Sequence, residues 1–135
     1  MLGEKIGEVT GKVIVRRVLG SETGGPMVEV SFQTTGKLLG QEISEIGTYM
    51  ASMRQGGALY GEGQGMLVST KGETIAWKGS GIGKMSSKGM GASYRGCLYY
   101  ETTAPNFAKL NGMCAVFEYE ADENGNTKSQ IWEWR

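Results

Sequence analysis

Apolar and polar residues alternate along most of this chain at a two-residue period, the signature of strands with one buried face. Over residues 28–38, Val28, Val30, Phe32, Thr34 and Leu38 share one parity, while Glu29, Ser31, Gln33 and Lys37 take the other. One buried face per strand predicts antiparallel pairing, because parallel sheets are covered on both sides. Residues 8–18 show the same order in their first half, with Val9, Gly11, Val13 and Val15 on one parity, and residues 20–26 then read as a loop. Residues 42–55 have a composition that suits either helix or strand. Strand is favoured, with Ile43, Glu45, Gly47, Tyr49, Ala51 and Met53 on one side, because neither helix caps nor a 3.6-residue period is present.

Gly56-Gly57 marks a turn into two further strands, 58–69 and 73–83. A three-residue loop at Thr70-Lys71-Gly72 pairs Leu67 with Ile75, Gly65 with Trp77, Gly63 with Gly79 and Gly61 with Gly81. All polar partners then fall on the opposite face, whereas a two-residue loop mixes the two classes. A loop at 84–88 leads to a strand over 91–101. Pairing Gly83 with Gly89 brings Arg95 opposite Trp77, although neither face of this strand is plainly apolar and its inner side stays open. Pro105 and Asn111-Gly112 delimit one short helical turn near 104–111 that covers a barrel end. Met113, Ala115, Phe117 and Tyr119 share one face of the next strand. Asn124-Gly125 predicts a two-residue type I′ hairpin that pairs Tyr119 with Gln130, Phe117 with Trp132 and Ala115 with Trp134. The expected fold class is all-β: a single domain, 1–135, of about eight antiparallel strands closed into a small barrel.

Composition narrows the chemistry. The 135 residues contain no histidine, which removes His-based triads and the usual zinc and non-haem iron ligand sets. The 14 Lys plus Arg balance 14 Asp plus Glu, so no general field favours nucleic acid or an anionic membrane. Charges near the start and the lack of a long apolar window predict a soluble, cytoplasmic protein. No cofactor or metal is expected. Cys97 and Cys114 are expected to be reduced thiols, since a cross-strand disulfide needs a Cα separation below about 7 Å and favourable Cβ geometry.

The order Gly61-x-Gly, Gly72-Glu73, Trp77-Lys-Gly-x-Gly81-x-Gly83, Arg95-Gly96, Leu110-Asn-Gly112, Phe117-Glu-Tyr-Glu120, Gly125-Asn126 and Trp132-Glu-Trp134 resembles a bacterial family of unknown function. That family has an allene oxide cyclase-like barrel. The resemblance runs from about Leu59 to the C-terminus and rests on turns and core positions. It implies an eight-stranded antiparallel barrel related in architecture to plant allene oxide cyclases and dirigent proteins, and it carries over no cyclase residue.

The glycine runs at 61–65 and 79–83 lie inside strands with no helix behind them, which argues against a phosphate loop. Two readings stay open: glycines that let a filled barrel coil and close, or glycines that thin the wall for a ligand. On the second, Trp77, Tyr99, Phe117 and Trp132 are the expected walls of a site for an apolar or amphipathic small molecule. Arg95 is its polar anchor, with Glu45 as a partner for that charge. A cyclase or isomerase would instead show a buried acid beside a cavity. A self-assembling homo-oligomer would show an outer apolar patch over Tyr60, Met66, Val68, Tyr94, Leu98 and Tyr100.

Overall fold

The computed structural model of the chain describes residues 1–20 and 25–135. Eight strands, β1 (Leu2–Leu19), β2 (Met27–Leu38), β3 (Gln41–Met53), β4 (Leu59–Ser69), β5 (Thr74–Met85), β6 (Ala92–Glu101), β7 (Cys114–Ala121) and β8 (Asn126–Trp134), close in chain order into an antiparallel barrel. β1 completes the circle by pairing with β8 as well as β2. Closure removes both sheet edges and gives every strand an inner and an outer face. The loop expected over 20–26 includes residues 21–24, which lie outside the described residues. Among the described residues no helix is long and apolar enough to cross a membrane.

Residues 41–53 form β3, and β4 meets β5 in the expected register, with Gly61 against Gly81, Gly63 against Gly79 and Gly65 against Trp77. The three-residue loop between them is held by the Ser69 hydroxyl, which accepts from the backbone N–H of Lys71 and Glu73, each at 3.2 Å. Gly72 supplies the positive φ of 81° that the turn requires.

The β7–β8 hairpin has the same construction and corrects the expected two-residue turn. Asp122 takes the place of Ser69, its carboxylate accepting from the backbone N–H of Asn124 and Asn126 at 2.9 Å, while Gly125 takes φ 82°. The extra loop residue shifts β8 by one position. Tyr119 faces Ser129, Phe117 faces Ile131, and Val116 faces Trp132. A one-residue slip moves every side chain to the other face, so Ile131 becomes core and Trp132 and Trp134 turn outward.

The β5–β6 register also differs from expectation. Trp77 pairs with Tyr100, Gly83 with Tyr94, and Ile82 with Arg95. The loop spans 86–91, not 84–88, because the Ser86 hydroxyl closes it on Lys88 and Gly89 takes φ 57°. Tyr94, Leu98 and Tyr100 therefore face inward, so the expected outer patch loses half its members.

One barrel end is plugged. The 3-10 segment Pro105–Gly112, where the helical turn was expected, inserts Phe107 and Leu110, both with no exposed surface, among Leu38, Ile75 and Ala115. Polar bonds fasten it to the wall: Thr102 Oγ1 donates to the Thr74 carbonyl at 2.7 Å, and Asn106 Nδ2 donates to Glu73 at 3.2 Å.

Candidate functional site

The inner wall combines glycines with large rings, and each needs the other. A methyl group at Gly65 would lie within 2.6 Å of the Trp77 ring, and one at Gly47 would lie 2.9 Å from the same ring and 2.6 Å from Phe32. A methyl group at Gly79 would meet Leu98 at 2.5 Å, while those at Gly63 and Gly83 would meet the carbonyls of Thr48 and Ser93 as well as Tyr49 and Tyr94. These separations are shorter than any carbon contact of about 3.5 Å, so the inner glycines are seats for neighbouring side chains. The space is taken by rings over Gly47 and Gly65, whereas Gly61, Gly63, Gly79 and Gly81 line what is left open.

The rings form one cluster. Phe32 and Trp77 stack at 6.5 Å with an interplanar angle of 23°, and Tyr49 meets Tyr119 and Tyr94 edge-on at 5.6 Å. Such offset and edge arrangements are the favoured geometries of aromatic pairs. The three tyrosines form the mouth, at the end of the barrel opposite the plug, where Tyr49 donates to the Tyr119 hydroxyl over a long 3.4 Å.

Packing leaves a cavity of about 80 Å³, lined by residues that include Thr34, Glu45, Trp77, Phe117, Tyr119 and Thr127. Its polar groups are few and unusual. Thr34 Oγ1 donates to Glu45 Oε1 at 2.7 Å. Glu45 retains some exposure as a residue, but its carboxyl is enclosed, and desolvation raises its pKa against the smaller opposing effects of Thr34 and Trp77. Desolvation also pushes up the pKa of Tyr100, with the Glu45 charge acting in the same direction, and raises that of Tyr119 to about 12. The Trp77 indole N–H lies near enough to Glu45 to favour its ionised form, yet reaches no acceptor at hydrogen-bond geometry, and the Thr127 hydroxyl is likewise unpartnered.

The structure thus brings together three of the six residues expected at a site: Trp77, Phe117 and Glu45. Arg95, Tyr99 and Trp132 are corrected to the outer face. Arg95 stands 3.7 Å from Glu118 across the β6–β7 pair, and Tyr99 is 58% exposed beside the free thiols Cys97 and Cys114. All three were displaced by the loop lengths at 86–91 and 123–125. Thr127, Tyr94 and Tyr100 entered the interior for the same reason. The signals for this in the sequence were Asp122 before Gly125 and Ser86 before Gly89, each at the spacing of Ser69 and Gly72. Among the described residues no three His, Cys, Asp or Glu side chains converge as a metal set would.

No protein-family model and no curated protein matches the chain. Several solved structures share its fold. A conserved protein of unknown function from Rhodopseudomonas palustris superposes with a TM-score of 0.82 at 14% identity, covering 98% of this chain and 97% of that one. A protein of unknown function from Clostridium acetobutylicum follows with a TM-score of 0.78 at 14% identity and 98% coverage of both. A β-barrel-like protein from Acinetobacter baumannii gives 0.77 at 13% identity, covering 100% of this chain and 96% of that one.

Proposed function

We propose that the barrel binds a compact, mostly apolar small molecule and seats its one polar group against Glu45, Trp77 and Thr127. The observation that carries this reading is the convergence of an enclosed carboxyl and two unpartnered polar atoms on a cavity whose remaining wall is aromatic and aliphatic. A buried polar group without a partner costs about 1–3 kcal/mol. A ligand oxygen that accepts from the indole and pairs with the Thr127 hydroxyl recovers that cost.

Volume sets the ligand's size. About 80 Å³ is well below the roughly 300–1,000 Å³ of ordinary ligand pockets and about half of the ~150 Å³ that hosts benzene. The occupant has few heavy atoms, and a long lipid chain is excluded unless the mouth tyrosines move. The relation to allene oxide cyclase-like barrels belongs to the same reading: a closed barrel that confines a small molecule in a mainly apolar interior.

The enclosed Glu45 favours a second reading, in which the same site isomerises its occupant by proton transfer. Burial biases Glu45 toward the neutral acid, the form that donates a proton. A Glu45 titration by carboxyl NMR that falls in the ordinary range near pH 4.3 eliminates this reading and leaves binding intact.

Binding is tested by titrating the ¹⁵N-labelled protein with small alcohols, ketones and diols and following the three indole N–H resonances. The Trp77 signal should move saturably while those of the outward Trp132 and Trp134 stay still. No movement of Trp77 with any probe overturns the proposal, leaving a cavity that holds only water.

A further inference from the structure

Against β2 the register of β1 breaks at one point, and the break turns a cation toward the mouth. The β1–β2 register runs from Val13 opposite Phe32 to Val15 opposite Ser31, leaving Ile14 as an extra residue. A bulge of this kind reverses the parity of all that follows. Val15, on the same sequence parity as Val9 and Val13, is outside and 48% exposed, and Arg16 lies opposite the buried inward residue Val30, whose partner on β3 is Tyr49. The adjacent Arg17 takes the outer face and binds Glu29 with two bonds of 3.0 and 3.2 Å. Among the described residues no carboxylate pairs with Arg16.

Arg16 shares one face with Val30 and Tyr49 in three consecutive strands, and its charge favours the ionised forms of both Tyr49 and Tyr119. Tyr49 spends its proton on the Tyr119 oxygen, which leaves the Tyr119 proton available. An unpaired guanidinium beside a hydroxyl donor suits a planar anion of single charge. A phosphate carries more charge than one arginine balances. The tyrosines also line the cavity that reaches Glu45, Trp77 and Thr127, so a ligand held at the mouth has its tail in that cavity.

We propose that the barrel takes short-chain hydroxy- or oxo-carboxylates, with the carboxylate held by Arg16 and Tyr119 and the tail oxygen directed to Trp77 and Thr127. This rests on the binding function proposed above and names its ligand class. The tail is short and aliphatic because the cavity is too small for an aryl ring.

The test compares 4-hydroxybutyrate with the neutral 1,4-butanediol, read by the Trp77 indole resonance, in the wild type and in Arg16→Gln and Arg17→Gln. The carboxylate should bind at least tenfold more tightly than the diol. Arg16→Gln should erase that advantage with diol binding unchanged, and Arg17→Gln should leave both intact. Equal binding of carboxylate and diol, or carboxylate binding insensitive to Arg16→Gln, overturns the anion site while the cavity proposal stands. Failure of both probes to move Trp77 overturns the two together. Unchanged circular dichroism and melting temperature of Arg16→Gln are expected, since the residue is exposed, and they separate loss of binding from loss of fold.

Discussion

The two ends of the barrel are both closed by large side chains but put them to different use. At the plugged end Phe107, Leu110, Ile75 and Ala115 have no exposed surface, and the polar bonds there fasten the 3-10 segment to the strand ends. At the mouth the side chains are Tyr49, Tyr94 and Tyr119, each with a hydroxyl tip and a raised pKa, under an arginine without a carboxylate partner among the described residues. Apolar residues with nothing left to satisfy serve stability, because burial yields its full transfer energy. Polar-tipped rings give up part of that energy and keep groups able to meet a ligand. The plug should therefore be sensitive to truncation, and the mouth tolerant of it.

The largest expected effect is at the plug. Phe107→Ala removes a fully buried ring and should lower unfolding free energy by about 3–5 kcal/mol in denaturant titrations. A loss under about 1 kcal/mol would mean that the segment is a dispensable lid and would dissolve the contrast. Next comes the wall between the ends, where Gly65→Ala drives a methyl group into the Trp77 ring and should cost about 1–3 kcal/mol. Combined with Trp77→Leu the cost of the alanine should fall, since neighbours that share a space are not additive. Equal costs in both backgrounds would show that backbone strain, and not the ring, requires the glycine.

The effect of pH should be smaller and should come from the cavity. Glu45 has its folded pKa raised above the unfolded value by desolvation, so the folded state holds the proton more tightly. Its contribution to stability is fully present below the unfolded pKa and is lost as pH rises through the folded one. Glu45→Gln should flatten this decline, raising the melting temperature relative to wild type at pH 7 and converging with it near pH 4. A wild type whose stability rises with pH through that window, unless Glu45→Gln steepens the rise, would contradict the enclosed carboxyl. The smallest effect belongs to the mouth. Tyr49→Phe keeps the ring and gives up only the 3.4 Å contact with Tyr119, so stability should change by less than about 1 kcal/mol. A larger loss would make the mouth structural.

Parts of this contrast can be read from the residues alone. Strand alternation located the inner residues of β2, β3 and β4, and the sorting of glycines and Trp77 onto one side of the β4–β5 hairpin yielded its register, because only one loop length kept polar and apolar classes apart. Pro105 and Asn111-Gly112 marked the plug segment. The same reasoning failed at β7–β8, where the Asn-Gly preference for a two-residue turn lost to the Asp122 carboxylate, which binds two backbone N–H groups and makes a three-residue loop the better closed unit. That single residue exchanged Trp132 for Ile131 inside. On β6 both faces carry aromatics, so periodicity had no contrast to act on, and Arg95 and Tyr99 changed places with Tyr94 and Tyr100.

What the residues determined by themselves is the set of local choices ruled by one strong preference each: a strand period, a glycine at positive φ, a hairpin whose two faces separate cleanly. What only the closed barrel decided is how those choices add up around the circle. The bulge at Ile14 is a one-residue event that leaves no trace in the composition of β1, yet it sends Arg16 to the mouth. The glycine runs carried no sign of what lay above them. Whether their missing side chains left a hole or a seat depended on rings from neighbouring strands, and the barrel brought Trp77 over Gly65 and Gly47, and Tyr94 over Gly83. Packing is a property of opposed surfaces, and no single strand carries both.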